Sequence, residues 1–350
     1  MTDGDRENEA TPWRNIARDL GEILGPRRPW GTVAGLALGL ALLVVAAWGV
    51  DLEAVWQAMQ RAHPVWTGLS LLTVLLTLAG KVARWHALFG ESLDPRYRSL
   101  GRALVVGKLV SALIPARVGE LARFYMLGSD EQMSRATVMG TIAAEKVFDL
   151  LFLVLAAGLT ALVVPLPAWL TGSLAAAAGL GGAVFLTAMA LPHPWVTLAA
   201  RRLGSWLPDS AAAWLTDFVE HALVGLGSLR HPRLAAQACA WSVLAWSLMT
   251  ATNLALFRAF DLNLSVGAAL LVVTLINGVT IVPASPGDLG VFHSLTVLGL
   301  QSLAHGGSSG IDRATALAYA TVLHVVVYGP RVALGAIALG LRPRPKGSES

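Results

Sequence analysis

The feature that most constrains this chain is a series of continuous apolar runs, each about 20 residues long. A helix of about 20 residues is about 30 Å long, which matches the hydrocarbon core of a bilayer. Membrane β-strands are shorter and alternate in polarity, whereas these runs do not alternate. The composition agrees, since 55% of the residues are hydrophobic and only 14% are charged. The runs therefore predict an all-α, polytopic helical membrane protein.

Six of the runs are long enough to be complete spans. They lie at about residues 31–50, 65–83, 137–164, 169–191, 236–258 and 314–340. Two further apolar stretches, at about 103–127 and 266–303, are interrupted by proline, glycine and charged residues. The arm 103–114 is short for a span and suits half of a re-entrant hairpin, whereas the arm 266–282 is almost long enough to cross. We predict about six full spans plus two re-entrant hairpins, with additional full crossings as the alternative.

The basic residues predict the orientation of these spans, because cytoplasmic loops of membrane proteins are enriched in Lys and Arg. Such residues cluster before the first span, after the second, within 193–233 and after the last span. The predicted outside loops contain one basic residue, Arg61, and lie near 51–63, 165–168, 259–264 and 304–312. We therefore expect an inner-membrane protein whose N- and C-termini are both cytoplasmic.

The same reasoning divides the chain into segments. Residues 1–30 are predicted to be a cytoplasmic N-terminal segment, 31–341 the transmembrane domain and 342–350 a cytoplasmic tail. Residues 193–233 have helical apolar spacing, which predicts amphipathic helices on the inner membrane face or, alternatively, a helix packed on the bundle. Residues 51–62 are expected to form a short interfacial helix on the outer side.

An internal repeat links the two interrupted stretches. The pattern P-A-x-x-G followed by an acid occurs at 115–120 and again at 283–288, an offset of 168 residues. Further along, R-A-T at 135–137 recurs at 313–315, and each copy opens a long apolar run. Two matches in the same order suggest a duplicated unit with halves at about 65–164 and 236–340. A duplication retained for packing alone is the alternative.

With the orientation above, the two copies enter the membrane from opposite sides, which makes the repeat an inverted one. Inverted repeats whose broken helices meet near the membrane midplane are typical of transporters. Proline and glycine end each half-helix, and the freed backbone groups cannot be satisfied by lipid. A half-helix N-terminus then offers donors that suit an anion such as phosphate. We predict the helix breaks at Pro115, Gly119, Pro283, Pro286 and Gly287.

Charged residues inside the apolar stretches are the second functional signal, because each would cost several kcal/mol in contact with lipid. Glu145 and Asp149 are four residues apart and share a helix face, so we expect them to pair with Arg117 or Arg123. Ion pairs that only lock helices together are the alternative, and Arg84 also suits a snorkelling anchor at a span end. The predicted substrate-binding residues are Arg84, Lys108, Arg117, Glu120, Arg123, Glu145, Lys146, Asp149, Ser285, Asp288 and Arg331.

Other chemistries find little support in the sequence. The eight histidines show no metal-binding spacing, and neither a Walker A nor a G-x-S-x-G motif occurs. We therefore expect no metal, no cofactor and no enzyme activity. His293 and His324 are interpreted as core histidines, with a proton relay as the alternative. Cys239, the only cysteine, is interpreted as a packing residue.

Three motifs together resemble the lysylphosphatidylglycerol synthase transmembrane-region family, whose members are also called flippase-like membrane proteins. They are I-P-A-R-V-G-E-L-A-R at 114–123, E-K-V-F-D at 145–149 and P-A-S-P-G-D-L-G-V-F at 283–292. The resemblance extends over about residues 30–340. The residues that match the family's pattern are Arg117, Glu120, Arg123, Glu145, Asp149 and Gly287. The chain departs from that pattern at Ser111, Lys146 and His293.

The resemblance implies movement of lipids across the bilayer. Some family members carry a soluble synthase domain that has no counterpart in these 350 residues, so aminoacyl transfer is not expected. The leading hypothesis is a flippase for an anionic or aminoacylated phospholipid, with Arg117, Arg123 and Arg331 on the headgroup. The alternatives are a transporter of a small anion or a polyprenyl-phosphate-linked glycan, and a non-transporting scaffold for a lipid-modifying enzyme. Membrane lipids are the expected partners and nucleic acid is not; a homo-oligomer and a partner enzyme both stay open.

Overall fold

A computed structural model gives the fold of this chain. It describes residues 30–90, 93–113, 118–190, 193–206, 232–279, 285–303 and 311–340, together with three single positions at 212, 216 and 219. Over these residues the fold is all-α, with twelve α-helices and one 3₁₀ turn.

The helices are numbered here in chain order. They are α1 (Trp30–Ala47), α2 (Leu52–Arg61), α3 (Pro64–Ala87), α4 (Tyr97–Leu113), α5 (Val118–Asp130), α6 (Arg135–Val163), α7 (Ala168–Ala190), α8 (His193–Gly204), α9 (Pro232–Ala259), α10 (Val266–Val279), α11 (Val291–Ser302) and α12 (Arg313–Gly340). The 3₁₀ turn is Pro286–Asp288. We call residues 114–117, between α4 and α5, the first break, and residues 280–290, between α10 and α11, the second break.

Four described helices are long and apolar enough to cross a membrane. They are Pro64–Ala87, Thr137–Val163, Pro232–Ala259 and Arg313–Gly340. They confirm the spans predicted at 65–83, 137–164, 236–258 and 314–340, and α1 and α7 are helices at the two other predicted positions. The chain is therefore a multi-pass helical membrane protein; six full spans and two re-entrant hairpins stay predictions.

Helix α2 forms where the sequence predicts a short interfacial helix. Asp51 caps it by accepting a hydrogen bond from the backbone N–H of Glu53 at 2.9 Å, as an N-cap carboxylate does. The stretch Ala37–Ala47 of α1 meets α2 at 84°. Leu52 and Trp56 of α2 are exposed, so this helix presents an apolar edge beside the end of α1.

Helix α4 is longer than the apolar arm predicted from 103, because it begins at Tyr97. Only Gly101 interrupts the residues between Pro95 and the arm, and a single glycine is tolerated within a helix, so the helix continues back to Tyr97. Arg102 fixes this end: it donates to Asp130 Oδ2 of α5 at 3.0 Å and to the backbone oxygen of Ala338 in α12 at 3.2 Å. The apolar pattern marked the buried, packed part of this helix and not its start.

Each break joins two helices that pack against each other. α4 and α5 are in contact, as are α10 and α11, and each pair leads into a long helix, α6 or α12. Arg135 and Arg313 are the first residues of these long helices, as the repeated R-A-T pattern predicts. α12 also packs on α4 and α11, so it lies beside both breaks.

Polar contacts between helices fix the interior. α3 and α9 pack along each other, and the hydroxyls of Thr73 and Thr252 are 2.8 Å apart. The hydroxyl of Tyr319 in α12 donates to Asn253 Oδ1 of α9 at 2.7 Å. Hydrophobic driving forces between helices are weak in lipid, so such bonds and close packing hold the bundle together.

The start of α12 is capped by Asp312. Its Oδ1 accepts a hydrogen bond from the backbone N–H of Thr315 at 2.9 Å. Partial burial tends to raise the pKa of Asp312, but the hydrogen bonds donated by Thr315 and Ala314 outweigh it and lower the pKa below the usual value. Arg313 donates to the backbone oxygen of Val45 at 2.6 Å, which ties α12 to the end of α1.

Candidate functional site

The candidate site begins with a group of charged side chains from four helices beside the first break. We call it the charge cluster, and it consists of Lys81 and Arg84 from α3, Lys108 from α4, Glu120 and Arg123 from α5, and Glu145, Lys146 and Asp149 from α6. The i,i+3 and i,i+4 spacings bring the members from each helix to one face. The cluster therefore depends on packing of the hairpin α4–α5 against α3 and α6.

The innermost part of the cluster is one carboxylate between two guanidinium groups. Arg123 donates to Glu145 Oε2 at 2.6 Å, and Arg84 lies 3.4 Å from Glu145 Oε1. The side chains of both arginines are 1% exposed and that of Glu145 is 2% exposed. Buried, paired charges of this kind hold helices in place.

Neighbouring side chains fix the two arginines further. The guanidinium of Arg123 lies 4.1 Å from the centre of the Trp85 ring, a cation–π distance. Trp85 in turn donates from Nε1 to the hydroxyl of Thr141 at 3.0 Å. Arg84 donates to Ser242 Oγ of α9 at 3.1 Å. The inner arginines are therefore oriented by contacts on several sides.

The outer part of the cluster is more open. Lys146 Nζ lies 2.7 Å from Glu120 Oε1, and these side chains are 32% and 24% exposed. Arg123 also lies 2.8 Å from Glu120 Oε2, and Asp149, 34% exposed, lies 2.8 Å from Arg84. These side chains, unlike the inner ones, are accessible to a ligand.

Two further lysines lie in the cluster without an ion-pair partner among the described residues. Lys108 is half-buried and within electrostatic range of Lys146 and Glu120. Lys81 is half-buried and within range of Asp149 and Arg84. The cluster thus contains five basic side chains against three carboxylates. That excess of bases inside an apolar bundle favours a negatively charged ligand.

The second break is a tight turn with three residues at positive φ. Gly287, Asp288 and Gly290 have φ values of 61°, 53° and 83°. The hydroxyl of Ser285 donates to the backbone oxygen of Leu289 at 2.7 Å, which closes the turn. A Cβ at Gly290 would collide with the backbone oxygen of Gly39 in α1. Glycine is therefore required here both by conformation and by the close approach of α1.

Side chains of α12 meet this turn. Tyr328 donates to Asp288 Oδ2 at 2.6 Å, and His324 donates from Nε2 to the backbone oxygen of Gly287 at 2.9 Å. The rings of His324 and Tyr328 stack with centroids 4.4 Å apart. The guanidinium of Arg331 lies 5.2 Å from the Tyr328 ring centre. Asp288 therefore bonds the hydroxyl of Tyr328, and Arg331 lies near the ring of the same residue.

The described turn of the second break lies next to the end of α4. A Cβ at Gly287 would lie 3.6 Å from the backbone oxygen of Ala112, in the last turn of α4. Arg331 is also within electrostatic range of Lys81 in the charge cluster. The charged residues of both interrupted stretches thus line neighbouring parts of the bundle. Among the residues that the structure describes, no three His, Cys, Asp or Glu side chains gather as a metal site requires.

Comparison with known proteins gives the family. The profile of the family described as the lysylphosphatidylglycerol synthase TM region matches residues 32–335. The chain belongs to this family. No match was found among curated proteins or among solved structures.

For this member of the lysylphosphatidylglycerol synthase TM region family, the structure places most of the predicted site residues in two neighbouring groups. The first group, beside the first break, is Arg84, Lys108, Glu120, Arg123, Glu145, Lys146 and Asp149. The second, around the second break, is Ser285, Asp288 and Arg331. Gly119 is the second residue of α5, directly after the first break, and Gly287 lies within the 3₁₀ turn that begins at Pro286. Pro115, Arg117 and Pro283 lie outside the described residues.

The structure corrects expectations about individual residues and adds one residue to the site. Arg84 does not snorkel at a span end, because its side chain is buried and paired with two carboxylates. Asp149 forms an ion pair with Arg84. The predicted ion pair between Glu145 and Arg123 is present. Lys81 was missed, although its position three residues before Arg84, inside an apolar run, was the available signal. Helix α8, in the segment 193–233 predicted to be amphipathic, carries exposed Trp195 and Leu203 together with Arg201 and Arg202; most of 207–231 lies outside the described residues.

Proposed function

We propose that this protein moves an anionic lipid headgroup across the membrane and that the open side of the charge cluster holds that headgroup. The observation that carries the proposal is the excess of basic side chains at Lys81 and Lys108, within an otherwise paired cluster. An unpaired base in an apolar bundle is costly, and a phosphate oxygen would offset that cost. Membership in the family supports a membrane role of this kind.

The geometry supports a division of roles within the cluster. Arg84, Arg123 and Glu145 are closed to ligands and act as positioning residues. Lys108 and Lys146 are accessible enough to donate to a phosphate. Glu120 bonds both Lys146 and Arg123, so an arriving phosphate would compete with it for Lys146. Such an exchange of one anion for another keeps Lys146 paired, and Glu120 keeps its ion pair with Arg123.

The first break supports the same assignment. Helix α5 begins at Val118, directly after the break, with Glu120 in its first turn. The N–H groups of a first turn have no partner within the helix and attract anions. The headgroup would pass along this polar path while its acyl chains stay in the surrounding lipid. The proposed role is transport and not catalysis.

The proposed placement in the membrane follows from the basic residues. We assign both termini to the cytoplasmic side of the inner membrane, because the predicted outside loops contain only Arg61. On that arrangement the two hairpins enter from opposite sides, as an inverted repeat requires. A partner lipid-modifying enzyme and a homo-oligomer remain predictions.

The proposal is tested with the purified full chain in vesicles that contain a fluorescent phosphatidylglycerol analogue. Loss of signal after a membrane-impermeant quencher is added measures how fast the labelled lipid reaches the outer leaflet. We expect the protein to accelerate this movement relative to empty vesicles. Lys108→Gln should slow it by about 10- to 100-fold, because a lost hydrogen bond to a charged group costs about 1.5–3 kcal/mol.

The matched control is Arg98→Gln, which also removes one basic residue but lies on the exposed side of α4, away from the cluster. It should move lipid at the rate of the unmodified protein. Equal rates for vesicles with and without the protein, across several anionic lipids, would contradict the proposal. Uptake of radiolabelled inorganic phosphate without lipid movement would instead favour the small-anion alternative, and neither activity would favour the scaffold.

A further inference from the structure

A pair of histidines beside the second break takes no part in the proposed headgroup site. His293 lies in α11 and His324 in α12, and their ring centroids are 5.0 Å apart. Phe292 packs edge-on against His324 at 5.0 Å, and Tyr328 stacks on His324 with centroids 4.4 Å apart. The two imidazoles thus lie beside each other in the interior, with their planes tilted by 36°, next to the turn that meets the first hairpin.

The hydrogen bond of His324 fixes where its proton sits. Its Nε2 is 2.9 Å from the backbone oxygen of Gly287. A carbonyl oxygen only accepts, so Nε2 carries the hydrogen and Nδ1 is the basic nitrogen of the neutral ring. A proton that binds to Nδ1 turns the ring into an imidazolium without breaking the bond to Gly287.

His293 shows that the pair is not fully satisfied as it stands. The residue is 5% exposed, and its Nδ1 is buried without a hydrogen-bond partner among the described residues. Buried polar atoms in folded proteins nearly always have a partner, so an orphaned ring nitrogen calls for an explanation. As the unprotonated nitrogen of a neutral ring, Nδ1 of His293 would be a free basic site that can take up a proton.

The charged groups around the pair are few and arranged to respond to a proton. Asp288 and Arg331 act on His324, and His324 is the group that acts on His293. The backbone atoms of α1 and α4 nearest to this turn belong to Gly39 and Ala112, and Lys81 of α3 lies within electrostatic range of Arg331. Asp288, whose carboxylate accepts from Tyr328, is therefore the nearby anion that would balance an imidazolium.

We propose that His293 and His324 form a proton-binding site and that lipid transport by this protein is coupled to proton movement through it. The coupling part rests on the proposed function. A proton enters from water on one side, binds a histidine nitrogen and leaves to water on the other side; only that N–H bond forms and breaks. The imidazolium strengthens its bond to Gly287 and attracts Asp288, so proton occupancy holds the turn 286–288 against α12.

The coupling is tested by the final distribution of a labelled lipid between leaflets. Vesicles containing the full chain carry a pH gradient, while valinomycin and equal potassium on both sides hold the membrane potential at zero. A passive carrier leaves the lipid evenly distributed. If one proton is exchanged per lipid, a gradient of about one pH unit changes the ratio of labelled lipid between the two leaflets by about tenfold. An even distribution in spite of rapid lipid movement would overturn the coupling.

The variants are His293→Gln and His324→Gln, which keep a hydrogen-bonding side chain that does not titrate. In either variant the labelled lipid should be evenly distributed under the pH gradient, whatever the rate at which it moves. His86→Gln is the matched control, because His86 pairs with Asp94 at 2.9 Å and lies outside the pair. The control should keep the uneven distribution of the unmodified protein; a loss there equal to that in the two variants would contradict the assignment.

Proton binding is measured separately from transport. With ¹⁵N-labelled histidine, the imidazole resonances lost in His293→Gln or His324→Gln identify the pair. We expect them to titrate together, with a shift in midpoint when Asp288→Asn removes the nearby anion. If neither ring binds a proton between about pH 4 and pH 9, the site is refuted even if lipid moves. If the rings titrate but the protein moves no lipid, the proposed function fails and the proton site stands.

Discussion

At the scale of single residues, Glu145 is the centre of the charge cluster. Its two carboxylate oxygens face Arg123 at 2.6 Å and Arg84 at 3.4 Å, and all three side chains are buried. Removing the charge of Glu145 leaves two buried guanidinium groups without the carboxylate that they share. Breaking a buried ion pair in this way is costly because the remaining charge is not solvated.

We therefore expect Glu145→Gln to lower the free energy of unfolding by about 3–5 kcal/mol. Chemical unfolding of the protein in detergent, followed by circular dichroism, measures the change. The control is Glu53→Gln on the exposed face of α2, where Glu53 accepts only from Gln57 at 3.1 Å; it should change stability by about 0.5 kcal/mol or less. Equal unfolding curves for the two variants would show that Glu145 does not hold the cluster together.

The sequence could predict part of this cluster but not its depth. Glu145 and Asp149 lie inside a long apolar run, so the cost of a charge in lipid already required a basic partner for each. Arg84 lies near the end of a span, where an arginine that anchors the helix in the headgroup region has the same pattern. Only the packing of α3 against α6 and α9 separates these roles, and that packing depends on the whole bundle.

At the scale of elements, the first hairpin depends on a crossing of two glycines. Gly107 of α4 and Gly119 of α5 lie so close that a Cβ on Gly119 would collide with the backbone oxygen of Gly107 and the hydroxyl of Ser111. Small residues at such crossings let helix backbones approach in membranes, where packing supplies much of the association energy. This approach brings Glu120 and Arg123 to the cluster.

We expect Gly119→Ala to destabilise the protein and to reduce lipid movement, because α5 must shift away from α4 to make room. The matched control is Gly68→Ala in α3, where nothing lies within 4 Å of the added Cβ. There the change should be neutral or stabilising by up to about 1 kcal/mol, since alanine favours helix over glycine. Thermal melting in detergent and the vesicle assay measure both effects. Similar melting temperatures for the two variants would mean that the crossing tolerates separation.

The apolar runs predicted where the helices lie, and proline and glycine predicted where they are interrupted. The start of α4 at Tyr97 could not be predicted, because the polar residues before the apolar arm are equally compatible with a loop or a helix. The contact between Ala112 and Gly287 was not readable either. It joins residues far apart in sequence, and the repeat indicated only that the two stretches are equivalent.

At the scale of the whole molecule, the proposal depends on how the two hairpins lie in the membrane. The structure places the end of α4 beside the turn at Gly287. If the repeat is inverted, the hairpin that begins at α4 is entered from the cytoplasm and the one that begins at α10 from the opposite side. Opposite entry would let each break face a different aqueous phase, which alternating access requires.

Labelling of single cysteines in a Cys239→Ser background decides this arrangement, because Cys239 is the only cysteine of the chain. Arg98 and Asn263 are exposed and lie at the start of α4 and just before α10. A membrane-impermeant maleimide added to intact spheroplasts should label Asn263→Cys at once and Arg98→Cys only after the membrane is permeabilised. Gln57→Cys, on exposed α2, is the outside reference and Arg202→Cys, on exposed α8, the inside one. Labelling of positions 98 and 263 from the same side would make the repeat parallel, and the two breaks would then open to one aqueous phase.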